Sequence, residues 1–225
     1  MKHNPTTRRA FALSSLALAA FTLASIAPAR AEGPTINPKG RYIGDEAVVV
    51  IELTKEQKTM LFDFSTPDAA KLWQTVNDGV MGGVSDGKVR ITETNLEFYG
   101  TLSLENNGGF ASVRSNAAKM DLSRYDGLVF KVRGDGRDYY LNIHVPTSMI
   151  AFWHQANFKT EKDKWTEVRI PFTDLKATSF GRVVENYQPF NPSKVEAVGF
   201  LLTDKKAGPF KLEVAWIKGI PKAGK

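Results

Sequence analysis

From Met60 onward the chain reads as short runs in which apolar and polar positions alternate, separated by turn residues. In "LEFYGTLSLE" Leu96, Phe98, Leu102 and Leu104 share one face at period two, as a half-buried strand requires. "GLVFKVRG" sets Leu128, Phe130 and Val132 against Lys131 and Arg133. "DYYLNIHV" sets Leu141, Ile143 and Val145 against Tyr140, Asn142 and His144. "WTEVRIPF" places Val168 and Ile170 opposite Trp165, Glu167 and Arg169. "FKLEVAWIKGI" puts Phe210, Leu212, Val214 and Trp216 on a common face. "MLFDF", "KVRITE", "GFASVRS" and "VEAVGFLLT" complete the set. One short helix is expected in "TPDAAKLWQTV", with Thr66 as N-cap and Pro67 at the first helical position. Many short strands and almost no helix indicate an all-β domain over residues 60–220, an antiparallel sandwich or barrel.

The segments before that domain read differently. Residues 1–31 begin with Lys2, Arg8 and Arg9, run through an apolar Ala- and Leu-rich stretch, and end at Ala29-Arg30-Ala31. This is the tripartite pattern of a signal peptide cleaved near Ala31. The paired arginines have the spacing of a twin-arginine signal; the alternative is an ordinary signal that contains two arginines. The expected location is periplasmic or secreted. Residues 32–59 hold Pro and Gly with little periodicity, a leader with a candidate edge strand in "VVVIEL", and 221–225 form a basic tail. No integral membrane span is expected in the mature chain.

Removing the signal changes the charge argument. Of 30 basic and 24 acidic side chains, four basic ones and no acidic one lie in residues 1–31, so the remainder is close to neutral. Nucleic acid is therefore not an expected partner. With no cysteine the chain has no disulfide, thiolate metal site or thiol nucleophile.

The most demanding stretch is "NDGVMGGVSDG", residues 77–87. It lacks the Gly-Lys-Ser/Thr ending of a phosphate loop and the spacing of a dinucleotide fingerprint. It also lacks the alternating oxygens and late Glu of an EF-hand loop. A structural calcium using Asp63 stays open; no cofactor is expected. His144 and His154 remain after signal removal and cannot build a three-histidine zinc site. "GVSDG" is not a nucleophile elbow, and no catalytic residues are assigned.

Three strings, "LWQTVNDGVMGGVSDG", "FYGTLSLENNGGFASVRS" and "YDGLVFKVRGDGRDYYLNI", occur in that order. Together they resemble the complex I intermediate-associated protein 30 family over about residues 61–218. The resemblance implies a galactose-binding-like jelly roll, akin to carbohydrate-binding modules. It also implies, from mitochondrial members, a non-catalytic role in assembly of respiratory complex I. An exported copy could not tend the cytoplasmic arm of a bacterial complex I, so the fold transfers more firmly than the role.

Two sets of candidate binding residues follow. The signature loops supply Asn77, Asp78, Met81, Asn106, Asn107 and Arg114, with Asx-type turns tying them down. Met81 is either a plug into the core or an adaptable apolar contact. A sheet face supplies Arg133, Tyr140, Asn142, His144, Trp153, Gln155, Trp165 and Arg169, with Asn157 beside them. Aromatic rings that stack on sugars and amides that bond hydroxyls suit a glycan. The competing reading is a solvated face covered by a loop between residues 176 and 193. The expected function is a binding protein of assembly-factor or chaperone type, its partner an envelope or respiratory protein. A carbohydrate-binding module is the alternative, and an enzyme acting on an envelope glycan or small metabolite is the third.

Overall fold

The computed structural model describes residues 59–65 and 67–223. The expected signal peptide, most of the leader, the strand in "VVVIEL", the Thr66 cap and the last two residues of the basic tail lie outside the described residues. Thirteen strands are described: β1 (Met60–Asp63), β2 (Trp73–Asn77), β3 (Asp86–Ile91), β4 (Leu96–Leu102), β5 (Ala111–Ser115), β6 (Tyr125–Arg133) and β7 (Asp138–His144). They continue with β8 (Phe152–Lys159), β9 (Trp165–Pro171), β10 (Lys176–Ser179), β11 (Arg182–Val183), β12 (Ala197–Leu202) and β13 (Gly208–Pro221). The fold is an all-β jelly-roll sandwich of two antiparallel sheets, one ordered β3-β4-β13-β6-β9 and one ordered β11-β10-β8-β7-β12-β5-β2.

The fourteen-residue β13 organises the first sheet. Its first half pairs with β4 from Gly208 to Val214, and its second half pairs with β1 from Trp216 to Lys218. On its other side it pairs with β6 along most of its length. Between the sheets Phe130, Phe158 and Phe200 meet edge to face at 5.0–6.0 Å between ring centres, an arrangement that favours aromatic pairs beyond their burial.

Four sequence expectations are corrected. Trp216 does not share the face of Val214: a register shift lies between them against β6, so Val214 pairs Val132 while Trp216 pairs outward-facing Lys131. This bulge brings Ile217 into the core instead. Leu104 lies beyond the end of β4 and is 45% exposed. The expected helix is a 3-10 segment, Pro67–Leu72, and Trp73–Asn77 is a strand paired to β5. Leu72 is exposed, so no apolar stripe existed to carry a helix onward. Finally, the expected 176–193 loop contains β10 and β11, and its remainder packs on the inner side of β8. There Phe190 and Tyr187 meet His154, which pairs with core residue Ile143. That segment does not cover the outer face. Among the described residues no helix is long and apolar enough to cross a membrane.

Candidate functional site

Residues 77–85 and 103–110 come together at one end of the seven-stranded sheet, and one carboxylate joins them. Asp78 is 1% exposed. Its Oδ1 accepts from the Ser85 amide at 2.9 Å; its Oδ2 accepts from the Ser85 hydroxyl at 2.6 Å and from the amides of Gly109 at 2.6 Å and Phe110 at 3.2 Å. Burial pushes the carboxyl up, but these donors outweigh it and hold the group below its ordinary value. A side chain at Gly83 or Gly108 would meet that carboxylate, with the nearest Asp78 atoms 2.4 and 2.6 Å from the added carbon. Glycine is therefore required on both loops for close approach. Asn77 anchors the base by donating to the Gly87 carbonyl at 2.9 Å. Asn106 and Asn107 are exposed in the left-handed region at φ 54° and 59°, where Asn is tolerated.

What the loops leave outside is apolar. Val80, Met81 and Val84 are 73%, 62% and 52% exposed, and Leu104 stands beyond β4 on the facing loop. Of the two readings of Met81, the core plug is excluded.

The outer face of the seven-stranded sheet is the second candidate. Tyr140, Asn142 and His144 of β7 lie beside Asn157, Gln155 and Trp153 of β8, with Asn142 opposite Gln155 and Tyr140 opposite Asn157. Arg114, expected with the signature loops, sits instead on this face: its strand β5 pairs with Gln74 of β2 and with Gly199 of β12. Its guanidinium lies over the Trp153 ring at 5.5 Å, and the ring centre of His144 is 5.2 Å from that of Trp153. A cavity of about 300 Å³ is lined by these three side chains with Gln74, Met149 and Glu196. Glu196 stands 3.7 Å from His144 Nδ1. Burial lowers the affinity of His144 for a proton more than Glu196 restores it, so the ring is neutral near pH 7. Arg114 is half-buried and makes no ion pair among the described residues, and burial pushes its guanidinium below its ordinary value. Asn142 Oδ1 is buried without a hydrogen-bond partner.

Arg133, Trp165 and Arg169 do not belong to this face. They lie on β6 and β9 of the other sheet, which corrects the single-face expectation. There Arg133 binds Glu213 through two nitrogens at 2.6 and 2.7 Å and covers the Trp165 ring at 5.1 Å. Alternation gives the phase of these strands, but it cannot say which sheet a strand joins. For the same reason Gln74 and Glu196 were missed; they reach the cavity only because β12 lies between β7 and β5. Asp63 accepts from the Ser65 amide in a turn at 3.0 Å. Among the described residues no three His, Asp or Glu side chains gather as metal ligands would.

The family model described as complex I intermediate-associated protein 30 matches residues 62–214, more than half of the chain. The chain belongs to this family. The proteins named complex I intermediate-associated protein 30, mitochondrial, of Mus musculus and Drosophila melanogaster are 29% and 27% identical to it. They align over 74% and 70% of this chain and 57% and 61% of their own length. The chain thus spans about three-fifths of these relatives. A Neurospora crassa protein of the same name is 26% identical over 68% of this chain. All three are named mitochondrial, and this overturns the expectation of a periplasmic or secreted protein. Among solved structures, a family 11 carbohydrate-binding module of Clostridium thermocellum aligns with TM-score 0.57 at 15% identity, over 74% of this chain and 95% of its own. An agarase aligns with TM-score 0.52 at 12% identity, over 74% of this chain and 25% of its own. At such identities the likeness is one of fold.

Proposed function

We propose that this member of the complex I intermediate-associated protein 30 family is a non-catalytic binding protein. Its two signature loops seat a protein partner belonging to a respiratory complex. The observation that carries this reading is the exposure of Val80, Met81, Val84 and Leu104 on loops locked by a buried carboxylate. Burying such side chains releases about 1–2 kcal/mol each, and loops already fixed lose little entropy on docking. The names of the relatives, which place them with a complex I intermediate, supply the partner class.

The test is crosslinking in cells with wild-type protein and a Val80→Asp, Met81→Asp double variant. Both positions are exposed, so melting should be unchanged. A complex I subunit captured by the wild type, and at least tenfold less by the variant, is the expected outcome. Capture of no respiratory subunit by either protein sinks the reading; equal capture by both removes the loops from it.

A second reading has one observation in its favour. Tyr140, half-buried, and Asn157, exposed, stand opposite one another on the outer face beside Gln155. An aromatic ring that stacks on a sugar beside amides that bond its hydroxyls suits a glycan. Retardation in a gel containing a soluble β-glucan, abolished by Tyr140→Ala, would support a glycan site; unretarded migration would dismiss it.

A further inference from the structure

The end of the seven-stranded sheet opposite the signature loops carries features that the proposed protein partner leaves unused. Met149 and Ile150 are exposed on the turn before β8, and Phe180 and Val183 on the β10–β11 hairpin. Hydrogen bonds hold these turns side by side: the Phe180 amide donates to the Ala151 carbonyl at 3.3 Å, and the Ser179 hydroxyl to the Ile150 carbonyl at 2.9 Å. Both Ala151 and Phe180 sit at φ 49°. A bulky residue in the left-handed region is uncommon and unfavourable, yet here it presents a 59% exposed phenyl ring.

The cavity opens beside these turns, since Met149 and Ala151 line it together with Arg114 and Trp153. Arg182 stands exposed within the hairpin itself. Apolar tips, an indole at the next level and a guanidinium without an ion pair among the described residues make a graded series from apolar to cationic. That grading matches the boundary of a bilayer, where apolar side chains enter the acyl region, Trp sits at headgroup depth and Arg meets phosphate. Glu196 also lines the cavity, with its carboxylate 3.7 Å from His144 Nδ1 rather than in an ion pair with Arg114.

We propose that this end of the sandwich docks on an anionic phospholipid surface, with Ile150 and Phe180 entering the apolar boundary and Arg114 binding a headgroup phosphate. The chain would then hold a protein at one end and a membrane surface at the other. The proposal does not depend on the partner assigned to the signature loops.

Co-sedimentation of the full chain with vesicles tests it, residues 1–58 being common to every arm. The vesicles are phosphatidylcholine alone, or phosphatidylcholine with about a third phosphatidylglycerol. The expected result is binding to the second kind only, weakened at least tenfold by an Ile150→Asp, Phe180→Asp double variant. Arg114→Gln should weaken it about fivefold, the worth of one basic side chain near such a surface. Met81→Asp, at the other end, should leave it unchanged. Competition by soluble glycerol phosphate that strips the protein from the vesicles entirely would show a free phosphate site and overturn the membrane assignment. So would equal binding to both vesicle types, or binding indifferent to the double variant. If the wild type ignores both vesicle types but is retarded by the β-glucan gel, the pocket belongs to a glycan.

Discussion

The two ends of the seven-stranded sheet treat charge in opposite ways. At one end Asp78 is buried and surrounded by two donors from Ser85 and the amides of Gly109 and Phe110. At the other, Arg114 is half-buried against an aromatic ring and has no ion pair among the described residues. The outer face of the six-stranded sheet sides with Asp78, for Arg133 and Glu213 satisfy one another there. A charge whose bonds are all made inside the molecule is part of its framework. A charge left incomplete, at a cavity, is available to something else.

The comparison breaks hardest at Asp78. Asp78→Asn replaces one acceptor by a donor among donors and should destabilise the domain by about 3–4 kcal/mol in chemical denaturation. A loss below 1 kcal/mol would mean that the carboxylate does not join the loops. Because its folded-state pKa is depressed, its contribution is present above the ordinary value of 3.8 and is lost as pH falls below it.

His154 gives a smaller effect in a different window. The ring is 3% exposed among Phe152, Tyr187 and Phe190, and neither nitrogen has a partner. Burial, with a lesser contribution from His144, pushes its pKa from 6.5 down to about 4. The unfolded chain therefore takes up a proton that the folded chain refuses, and stability should fall from pH 6.5 to about 4, by up to about 3 kcal/mol. His154→Phe should flatten that slope; an unchanged slope would place the titration elsewhere.

The smallest effect sharpens the contrast most. Arg114→Gln should change stability by less than about 0.5 kcal/mol, since no partner is orphaned by its loss. A cost near that of Asp78→Asn would make Arg114 structural and remove the distinction between the two ends.

How far the sequence foretold this follows from what strand periodicity contains. Alternation assigned an inner and an outer side to most strands, and Leu128, Phe130, Val132, Leu141 and Ile143 are fully buried as it required. It failed at Trp216 because one inserted residue inverts the phase, and at Leu104 because a pattern can outrun its strand. The glycines and Asx residues marked the signature loops as demanding, but not that Asp78 is the group they approach. The pocket was least legible. Gln74, Arg114, Trp153 and Glu196 are spread over more than 120 positions, and pairing order, which periodicity does not encode, brings them together.

The length and position of β13 set a schedule for the nascent chain. This strand lies at the middle of the six-stranded sheet yet is formed by residues 208–221, the last strand of the domain in chain order. Until it arrives, β1 and β4 have no strand to join them to β6, and their apolar sides must wait uncovered. Closing loops of such length is slow, and unpaired strands are prone to stray pairing in the interval. The six-stranded sheet therefore cannot close until the last strand of the domain has been made.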